Sequence, residues 1–409
     1  MIRTRGFELV DWQRDAVRAW ATADRPYRGT FEIFTGGGKS LVALECARMA
    51  AEREPGLRVA IVVPTEALAR QWVDVVLRYT DLGLEEVGVL GAGRSDQLSD
   101  KRILVAVLNT AAKRLPEQVR PGQRVMLIVD ECHRAGAPTF SRVLSTPADY
   151  RLGLSATPER EEFDEAGEPL DFDEQLVGRR LGPVVYRFGL RDARAVGWLP
   201  EYRVHHHGIS LTPEERTEYD KLSRRVDDAV DDIRDLGGDS SRAQHLQRRD
   251  DDLGRAARNY IALTSSRKDL LYRATERERV ACRIVGRALR HAPRKVLLFH
   301  ERVDQAESLA AAIADSIGPE AVVLEHSRLP DRVRAESLDR FRSGQANVLV
   351  SVKSLVEGID VPDAEVGVSV AASSSVRQRV QSLGRVLRRR FDGSADAPKR
   401  AEMHLVYVA

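Results

Sequence analysis

A glycine-rich run that ends in lysine and serine is the part of the sequence best suited to chemistry. It lies between an apolar stretch and a helix-like stretch, and its residues are Thr35, Gly36, Gly37, Gly38, Lys39 and Ser40. Glycines let the backbone turn so tightly that several N–H groups face one anion, and the start of a helix adds positive potential. Lys39 would reach the terminal phosphates of ATP, and the Ser40 hydroxyl would coordinate Mg²⁺. The run therefore predicts an ATP-binding loop; the alternative is a glycine-rich turn without a ligand.

Two adjacent acids, Asp130 and Glu131, follow a second apolar run and precede Cys132-His133. Ligands of open parallel sheets bind beyond the carboxyl ends of the strands, where these acids would lie. We expect Asp130 to hold Mg²⁺ through its water shell and Glu131 to orient and deprotonate the attacking water. Acidic pairs also end strands in solvated turns. The glycine-rich run upstream favours the catalytic interpretation.

Short apolar runs alternate with helical patterns on both sides of a middle segment. Helix-like stretches such as 40–52 and 66–79 separate the first set of runs, which are 31–34, 59–63, 103–107, 125–129 and 151–154. Helix-like stretches 304–317, 332–342 and 376–388 separate the second set, which are 295–299, 321–325, 347–351, 366–370 and 403–408. Nearly continuous apolar strands that alternate with helices indicate parallel sheets covered on both faces. The sequence therefore predicts an α/β protein with two parallel-sheet lobes.

The middle segment has a different pattern. Between 211 and 289, apolar residues recur at helical spacing among charged neighbours, beginning with Leu222, Val226, Ala229, Ile233 and Leu236. One apolar stripe on a charged helix is typical of a helix that packs along one side. The predicted domains are a first lobe over 1–200, a helical insert over 201–290 and a second lobe over 291–409.

Composition excludes several classes of protein. The 409 residues include 64 basic and 62 acidic side chains, and 43% are hydrophobic. This balance excludes a uniformly basic nucleic-acid coat, and the apolar content excludes a disordered chain. The three cysteines have no CxxC spacing, which argues against a disulfide framework or a zinc module and favours a reducing compartment. No apolar run approaches 18 residues and the first residues are polar, so we expect a cytoplasmic protein with no membrane contact.

Further motifs, together with these two, resemble the superfamily 2 helicases and translocases. Gln13 matches the glutamine upstream of the phosphate-binding loop. Matches to the family's later motifs follow in family order over nearly the whole chain outside the helical insert, at 62–65, 154–160, 295–300, 357–362 and 381–388. The Asp-Glu-Cys-His box and the wording of 155–160 and 357–362 resemble the branch with XPB-like proteins and restriction-enzyme motor subunits.

The resemblance implies two RecA-like lobes in tandem and an ATP-dependent helicase or translocase that acts on DNA. It implies that Gln13 contacts adenine, that Ser155 and Thr157 couple hydrolysis to movement, and that ATP is also contacted by Gly358 and Asp360. Gln381, Arg385 and Arg388 match catalytic positions of the last motif. Because Arg388 lies roughly 350 positions beyond Lys39, a phosphate touched by both would lie at an interface between the lobes, where the arginines stabilise developing charge. The alternative is a solvated basic face, which we keep for Arg389 and Arg390.

The resemblance also implies nucleic-acid contacts at Pro64, Thr65, Thr110, His300 and Arg302. Contacts to phosphates contain no sequence information, which suits a motor that steps anywhere. Each of these residues could instead be an ordinary loop residue. The run His205-His206-His207 does not predict a metal site, because adjacent side chains on a strand point to opposite faces.

Two positions depart from the family pattern. Ile33 replaces the first glycine of the phosphate-binding loop, and Val352 replaces a threonine that contacts the nucleic-acid backbone in many relatives. Ser351 is the substitute for that threonine, and Val352 is left out of the site.

The charge is distributed unevenly along the chain. Residues 376–400 contain eight basic and two acidic side chains, whereas 159–174 contain nine acids and one arginine. Local basic surfaces on a nearly neutral body suit a polyanionic partner that must be released at each step. We expect single- or double-stranded DNA as the partner, with RNA as the alternative track. An alternative from another class is a regulatory or clamp subunit that works with partner proteins in DNA repair or defence.

Overall fold

The computed structural model describes residues 2–160, 162, 169–199, 201–290, 294–352, 364–371 and 400–409. The chain divides into two compact units. The described residues of the first unit lie within 2–199, and those of the second unit lie within 201–409.

The first unit is built on an eight-stranded sheet. Its strands are β1 (Arg28–Ile33), β2 (Arg58–Val63), β3 (Val87–Gly91), β4 (Arg94–Ser95), β5 (Ile103–Val107), β6 (Val125–Asp130), β7 (Tyr150–Ser155) and β8 (Val184–Phe188). The strand order is β4-β3-β5-β2-β6-β7-β1-β8, and only the short β4 is antiparallel to its neighbour. All five residues of β5 are buried, as are the last five of β2, which is what a parallel sheet covered on both faces requires.

Six helices accompany this sheet in the described part of the first unit. They are α1 (Asp11–Ala21), α2 (Lys39–Arg53), α3 (Glu66–Tyr79), α4 (Leu108–Gln118), α5 (Leu176–Leu181) and α6 (Leu190–Ala195). Thr65 caps α3, because its side-chain oxygen accepts a hydrogen bond from the Leu68 N–H at 3.3 Å. The helix α2 begins without a side-chain cap after Gly38, which adopts a left-handed backbone conformation. The first N–H groups of α2 therefore donate no hydrogen bond to a capping side chain.

The second unit is built on a six-stranded parallel sheet. Its strands are β9 (Glu201–Ile209), β10 (Val296–His300), β11 (Val322–Glu325), β12 (Val348–Val352), β13 (Val366–Ser369) and β14 (Arg400–Val408). The order is β11-β12-β10-β13-β14-β9, so β9 and β14 pair although they are far apart in the sequence. The pairing sets His205 opposite His404 and continues to Ile209 opposite Val408.

The helices of the second unit cover this sheet and extend from it. They are α7 (Pro213–Asp235), α8 (Ala243–Leu246), α9 (Asp252–Arg273), α10 (Thr275–Leu289), α11 (Val303–Ile317) and α12 (Asp331–Ser343). Thr212 and Glu215 form a capping box at the start of α7. The Glu215 carboxylate also accepts two hydrogen bonds from Thr275, both 2.9 Å, which join the start of α7 to the start of α10.

The apolar stripe predicted for the middle segment packs as expected over four of its five positions. Leu222, Val226 and Ala229 are buried against Leu263 of α9, and Ile233 is buried with Ala257 of the same helix. Leu236 was predicted to continue the stripe, but this is wrong. The helix ends at Asp235, and the Leu236 side chain is 45% exposed.

The predicted fold class is confirmed: both units have parallel-dominated sheets flanked by helices. The sequence analysis did not identify β3, β4 or β8, and it assigned residues 201–209 to the helical insert, whereas they form β9 of the second sheet. The predicted helix over 376–388 lies outside the described residues. The two predicted domain boundaries stay predictions. Among the described helices, none is both long and apolar enough to cross a bilayer.

A buried arginine joins α10 to the sheet of the second unit. The Arg277 side chain is 6% exposed and donates hydrogen bonds to the backbone carbonyls of Leu271, Val370 and Val406. Burial lowers the pKa of Arg277 to about 10, so the guanidinium remains charged at neutral pH. Three backbone carbonyls from separate parts of the chain thus depend on the Arg277 side chain for a hydrogen bond.

Replacing this arginine should destabilise the second unit. We expect Arg277→Met to lower the free energy of unfolding by about 3 kcal/mol, because it leaves buried carbonyls without a donor. Arg279→Met on the same helix is the control, since the Arg279 side chain is 69% exposed. Urea denaturation of both variants measures the difference, and equal losses would contradict the role of Arg277.

Candidate functional site

Five loops lie at one edge of the first sheet, where its parallel strands end. In sheet order, β5 is followed by Thr110, β2 by Pro64 and Thr65, and β6 by Asp130 and Glu131. The next strand, β7, ends at Ser155, and β1 leads into the loop 34–38. The register aligns Asp130 with Leu154 on β7 and aligns Ser155 with Glu32 on β1. Because carboxyl ends of neighbouring parallel strands meet at one edge, this edge is the expected ligand site.

The loop between β1 and α2 has the backbone conformation that its glycines were predicted to provide. Gly36 and Gly38 have φ angles of +93° and +76°, in the region that favours glycine. A Cβ at Gly37 would lie 2.7 Å from a methyl carbon of Ile33, so this position has no room for a side chain. Ile33 is fully buried at the end of β1. Ile33, which replaces the first glycine of the family pattern, therefore packs in the core beneath the loop.

Two polar side chains of this loop are placed for a ligand. The Lys39 ammonium donates to the Ile33 carbonyl at 3.3 Å, so it lies beside the start of the loop. The Thr35 hydroxyl is buried and has no hydrogen-bond partner among the described residues. A buried hydroxyl without a partner is costly, and an anionic ligand in the loop would supply one. Ser40 follows Lys39 in the first turn of α2 and is partly buried.

Gln13 packs against the loop from α1. Its side chain is 3% exposed; the amide nitrogen donates to the Gly37 carbonyl at 3.4 Å, and the amide oxygen accepts from the Val10 N–H at 3.1 Å. A Cβ at Gly38 would lie 2.9 Å from the same amide nitrogen. The structure thus brings Gln13 into contact with the phosphate-binding loop. That it contacts adenine stays a prediction.

The neighbouring Trp12 was not singled out by the sequence analysis. Its ring stacks on Phe188 at 4.1 Å with an interplanar angle of 6°, and it meets the edge of Trp198 at 5.7 Å. These aromatic contacts hold α1 against β8 and so fix the position of Gln13. Trp12 is far from Phe188 and Trp198 in the sequence, so no local pattern predicts these contacts.

The acidic pair is held in an unusual backbone conformation. Asp130 accepts hydrogen bonds from the Trp72 indole at 2.9 Å and from the Glu131 N–H at 3.0 Å. Glu131 has φ +46° and ψ 51°, which is a left-handed conformation that costs a non-glycine residue about 1–2 kcal/mol. Strain of this kind persists where surrounding contacts hold it, and it is frequent at functional sites.

Ser155 connects the acidic pair to the end of β7. Its hydroxyl donates to the Glu131 carboxylate at 3.4 Å and accepts from the Thr157 N–H at 3.1 Å. The His133 Nδ1 lies 3.1 Å from the same hydroxyl and 3.5 Å from the Glu131 carboxylate. His133, which the sequence analysis assigned no role, is 4% exposed, and its carbonyl accepts from Arg160 at 2.6 Å. The predicted base and the two predicted coupling residues therefore share one hydrogen-bonded group.

Cys132 is not a second reactive group here. Its side chain is fully buried. Burial raises the pKa of the Cys132 thiol far above its ordinary value, and the neighbouring charges of Glu131 and Asp130 act in the same direction. A thiol that stays protonated is a poor nucleophile.

The predicted nucleic-acid contacts of the first unit lie along the same sheet edge. Pro64 and Thr65 begin the loop after β2, and Thr110 lies in the first turn of α4 after β5. All three are partly exposed. The Thr65 hydroxyl is already used as the cap of α3. Their contacts with nucleic acid stay predictions.

The predicted contacts of the second unit are placed differently. The His300 ring is 4% exposed, and its Nδ1 accepts from the Arg302 N–H at 3.1 Å. Burial and then the charge of Arg277 lower the pKa of His300 to about 4. His300 is thus a neutral, buried residue at the end of β10, and its placement does not support a direct contact with a strand. The Arg302 guanidinium is 45% exposed and pairs with Asp269.

The remaining predicted positions divide into one buried residue and five that are not described. Ser351 is fully buried and donates to the Glu325 carboxylate at 3.3 Å, so it does not replace the missing threonine at the surface. The other predicted site residues lie outside the described part of the chain: Gly358, Asp360, Gln381, Arg385 and Arg388.

Comparison with known families gives two matches that together cover most of the chain. Residues 6–160 match the family described as "Type III restriction enzyme, res subunit". Residues 276–390 match the family described as "Helicase conserved C-terminal domain". The first match contains the loop, the acidic pair and Ser155.

Curated relatives extend the similarity to nearly the full chain. A "DNA 3'-5' translocase XPB2" of Sulfurisphaera tokodaii is 29% identical over 94% of this chain and 79% of that protein. A "DNA 3'-5' helicase XPB" of Kineococcus radiotolerans is 28% identical over 92% of this chain. The chain spans 59% of this second relative and 50% of a "Putative DNA 3'-5' helicase Rad25" of Haloarcula marismortui, so these relatives are considerably longer.

Solved structures with little sequence identity share the fold. The helicase domain of Pyrococcus furiosus Hef is 17% identical, with a TM-score of 0.56 over 97% of this chain and 95% of that one. The restriction-modification enzyme LlaBIII bound to DNA is 16% identical, with a TM-score of 0.63 over 98% of this chain and 28% of that one.

Adding a side chain to the loop should weaken nucleotide binding. We expect Gly38→Ala to raise the dissociation constant for ATP about tenfold, because alanine is strained at this φ angle and its Cβ would crowd Gln13. Gly56→Ala is the matched control, since its Cβ would meet no heavy atom within 4 Å. Titration with a fluorescent ATP analogue measures the affinity, and thermal unfolding checks the fold. Unchanged affinity in Gly38→Ala would contradict the assignment of the loop.

Proposed function

The chain belongs to the superfamily 2 helicases and translocases, and we propose that it is an ATP-driven motor that moves along DNA or unwinds it. One observation supports this more than any other. The glycine-rich loop, the acidic pair and Ser155 lie at the ends of three neighbouring strands, with Ser155 bonded to Glu131. That arrangement suits ATP hydrolysis linked to movement of the chain that follows β7.

We propose the following roles at the phosphates. The backbone N–H groups of Thr35, Gly36 and Gly38 and the Lys39 ammonium bind the β- and γ-phosphates, whereas the Gly37 N–H donates to the Phe34 carbonyl at 3.2 Å. Glu131 accepts a proton from the attacking water, and its hydrogen bond from Ser155 holds the carboxylate in one orientation. Ser40 and Asp130 would hold Mg²⁺, because hydroxyl and carboxylate oxygens are the ligands this ion prefers. The ion would neutralise charge on the phosphate oxygens.

The roles of the other predicted ATP contacts are also proposals. Gln13 would recognise the adenine base from its position beside the loop. Gly358 and Asp360 would contact ATP, and Gln381 would act with the arginines. Arg385 and Arg388 would stabilise charge that develops on the transferred phosphate, as an arginine finger does. Hydrolysis at an interface between two lobes stays a prediction from the sequence.

We propose DNA as the track. The printed names of the Sulfurisphaera tokodaii and Kineococcus radiotolerans relatives describe a DNA 3'-5' translocase and a DNA 3'-5' helicase, and we propose the same direction here. Pro64, Thr65, Thr110 and Arg302 are the proposed contacts with the phosphate backbone. Such contacts hold a strand without selecting its sequence. An RNA track is the first alternative, and a regulatory or clamp subunit of a repair or defence complex is the second.

Removing the proposed base should abolish hydrolysis and spare binding. We expect Glu131→Gln to lower the turnover number by about 10²–10⁴-fold, because the amide cannot accept the proton from water. Glu117→Gln is the control, since Glu117 is an exposed residue of α4 that pairs with Arg142. Phosphate release and nucleotide affinity are measured for both variants. Robust turnover in Glu131→Gln would remove Glu131 as the base.

The track can be tested by stimulation of ATPase activity. We expect DNA to stimulate hydrolysis more strongly than RNA of the same sequence at the same ionic strength. Salt must be matched because binding that is dominated by phosphate contacts weakens steeply with salt concentration. Stronger stimulation by RNA would favour the first alternative.

A displacement assay separates a motor from a clamp. Streptavidin bound at the 5′ end of a single-stranded DNA should be released in an ATP-dependent manner if the protein moves in the 3′-to-5′ direction. Streptavidin at the 3′ end should remain bound. ATP hydrolysis that DNA stimulates without displacement from either end would favour the clamp.

A further inference from the structure

Three side chains with metal-binding groups lie on one face of two paired strands in the second unit. They are His205 of β9 and Glu402 and His404 of β14. The pairing sets His205 opposite His404. Since side chains alternate along a strand, Glu402 and His207 lie on this face as well. His206 lies on the opposite face, where its ring meets Tyr407 at 6.1 Å.

The potential ligand atoms are close together. The His404 Nε2 lies 3.6 Å from a Glu402 carboxylate oxygen, and the His205 Nε2 lies 3.9 Å from the same oxygen. All three atoms lie within 4.8 Å of one another. In a tetrahedral zinc site with bonds of 2.0–2.1 Å, ligand atoms are about 3.3 Å apart. The two separations that involve Glu402 are therefore a few tenths of an ångström wider than binding requires, and the two imidazole nitrogens lie within 4.8 Å of each other.

The other polar atoms of two of these side chains are already held. The His404 Nδ1 lies 2.9 Å from the His207 Nε2, and the second oxygen of Glu402 accepts from Arg294 at 3.0 Å. Arg294 is also paired with Glu365 at 3.3 Å, so Glu402 is not its only counter-charge. Ligating histidines and carboxylates in metal sites have outer partners of this kind, which orient the free lone pair.

We propose that His205, Glu402 and His404 bind one divalent transition-metal ion, with Zn²⁺ as the representative. Two imidazoles and one carboxylate form a common three-residue ligand set for zinc, and water supplies the fourth position. His207 is an outer residue that accepts the Nδ1 proton of His404 and thereby leaves Nε2 free for the ion. This site is separate from the ATP-binding loop and from the proposed motor activity.

Binding requires one local movement. The rings of His205 and His404 stack with centroids 4.7 Å apart and an interplanar angle of 15°, so their lone pairs lie in nearly parallel planes. A tilt of the His205 ring makes them converge on one point. The His205 side chain is 41% exposed on the edge strand, so it can tilt without disturbing the core.

The ion would fasten the edge strand β9 to β14. In the described sheet β9 has β14 as its single neighbour, so its attachment depends on that one pairing. A ligand that binds only the folded protein stabilises it, and the stabilisation increases with the logarithm of the ligand concentration above the dissociation constant. Zn²⁺ should accordingly raise the thermal unfolding midpoint of the second unit.

The test uses the full chain without a polyhistidine tag, after removal of metal with a chelator. Isothermal titration with Zn²⁺ should show one more saturable site in the wild type than in His205→Ala. Titration with Co²⁺ should give visible absorption bands that His205→Ala and His404→Ala both lack. His206→Ala, on the opposite face, is the matched control and should retain the site.

The contact between His207 and His404 is tested separately. His207→Ala should keep the site but weaken Zn²⁺ binding about 10–100-fold, which is the usual effect of losing an outer partner. Circular dichroism checks that each variant is folded. His205→Ala should have little effect on the core, because the His205 side chain is partly exposed. The same stoichiometry in wild type and His205→Ala, or equal loss in His206→Ala, would overturn the proposal.

Discussion

The parallel register of β6, β7 and β1 is the constraint on which the candidate site depends. Asp130 is level with Leu154, and Ser155 is level with Glu32, so three strands end at nearly the same height. Groups that are far apart in the sequence therefore meet without any long loop having to reach across the sheet. The buried apolar strands hold this arrangement and place the polar groups at the sheet edge where ligands of parallel sheets bind.

At this edge of the sheet, the Ser155 hydroxyl lies at the centre of a group of hydrogen bonds. It bonds to the Glu131 carboxylate and to the Thr157 N–H, and it lies beside the buried ring of His133. Glu131 in turn has a strained backbone that its neighbours hold in place. A change in the carboxylate during hydrolysis would therefore alter the bonds of Ser155, and with them the backbone at Thr157. If the proposed roles hold, this contact would link the phosphates to the chain after β7.

The sequence predicted those parts of the structure that depend on local chemistry. The loop 34–38 was predictable because its glycines adopt angles that few other residues tolerate, and the strands that carry the acidic pair and Ser155 were predictable from their buried apolar runs. The strand β9 was missed because its side chains are mostly exposed or half-exposed, which leaves no apolar pattern. His300 was predicted to contact nucleic acid, but the residues next to it in the sequence do not show that it is buried near Tyr272 and Arg277 of the preceding helices.

Long-range pairing explains why the cluster of His205, Glu402 and His404 could not be predicted from the sequence. The sequence analysis assigned no metal site to the histidines at 205–207, because adjacent side chains on a strand point to opposite faces. That reasoning is valid for a site made from these three residues alone. The two further groups come from β14, and only the strand order brings them beside His205. Side chains contributed by two strands that are distant in sequence cannot be assembled from local spacing.

The pairing of β9 with β14 also has a consequence for how the chain is made. About 190 residues separate the two strands, and at 5–20 residues per second a ribosome needs roughly 10–40 s to synthesise them. During that time β9 has emerged without the neighbour it has in the finished sheet, and an unpaired strand edge invites association with other chains. Its mainly polar, exposed or half-exposed side chains, including Arg203 and three histidines, oppose such association. The polar side chains that made β9 hard to predict from the sequence would thus limit association of the nascent chain until β14 is synthesised.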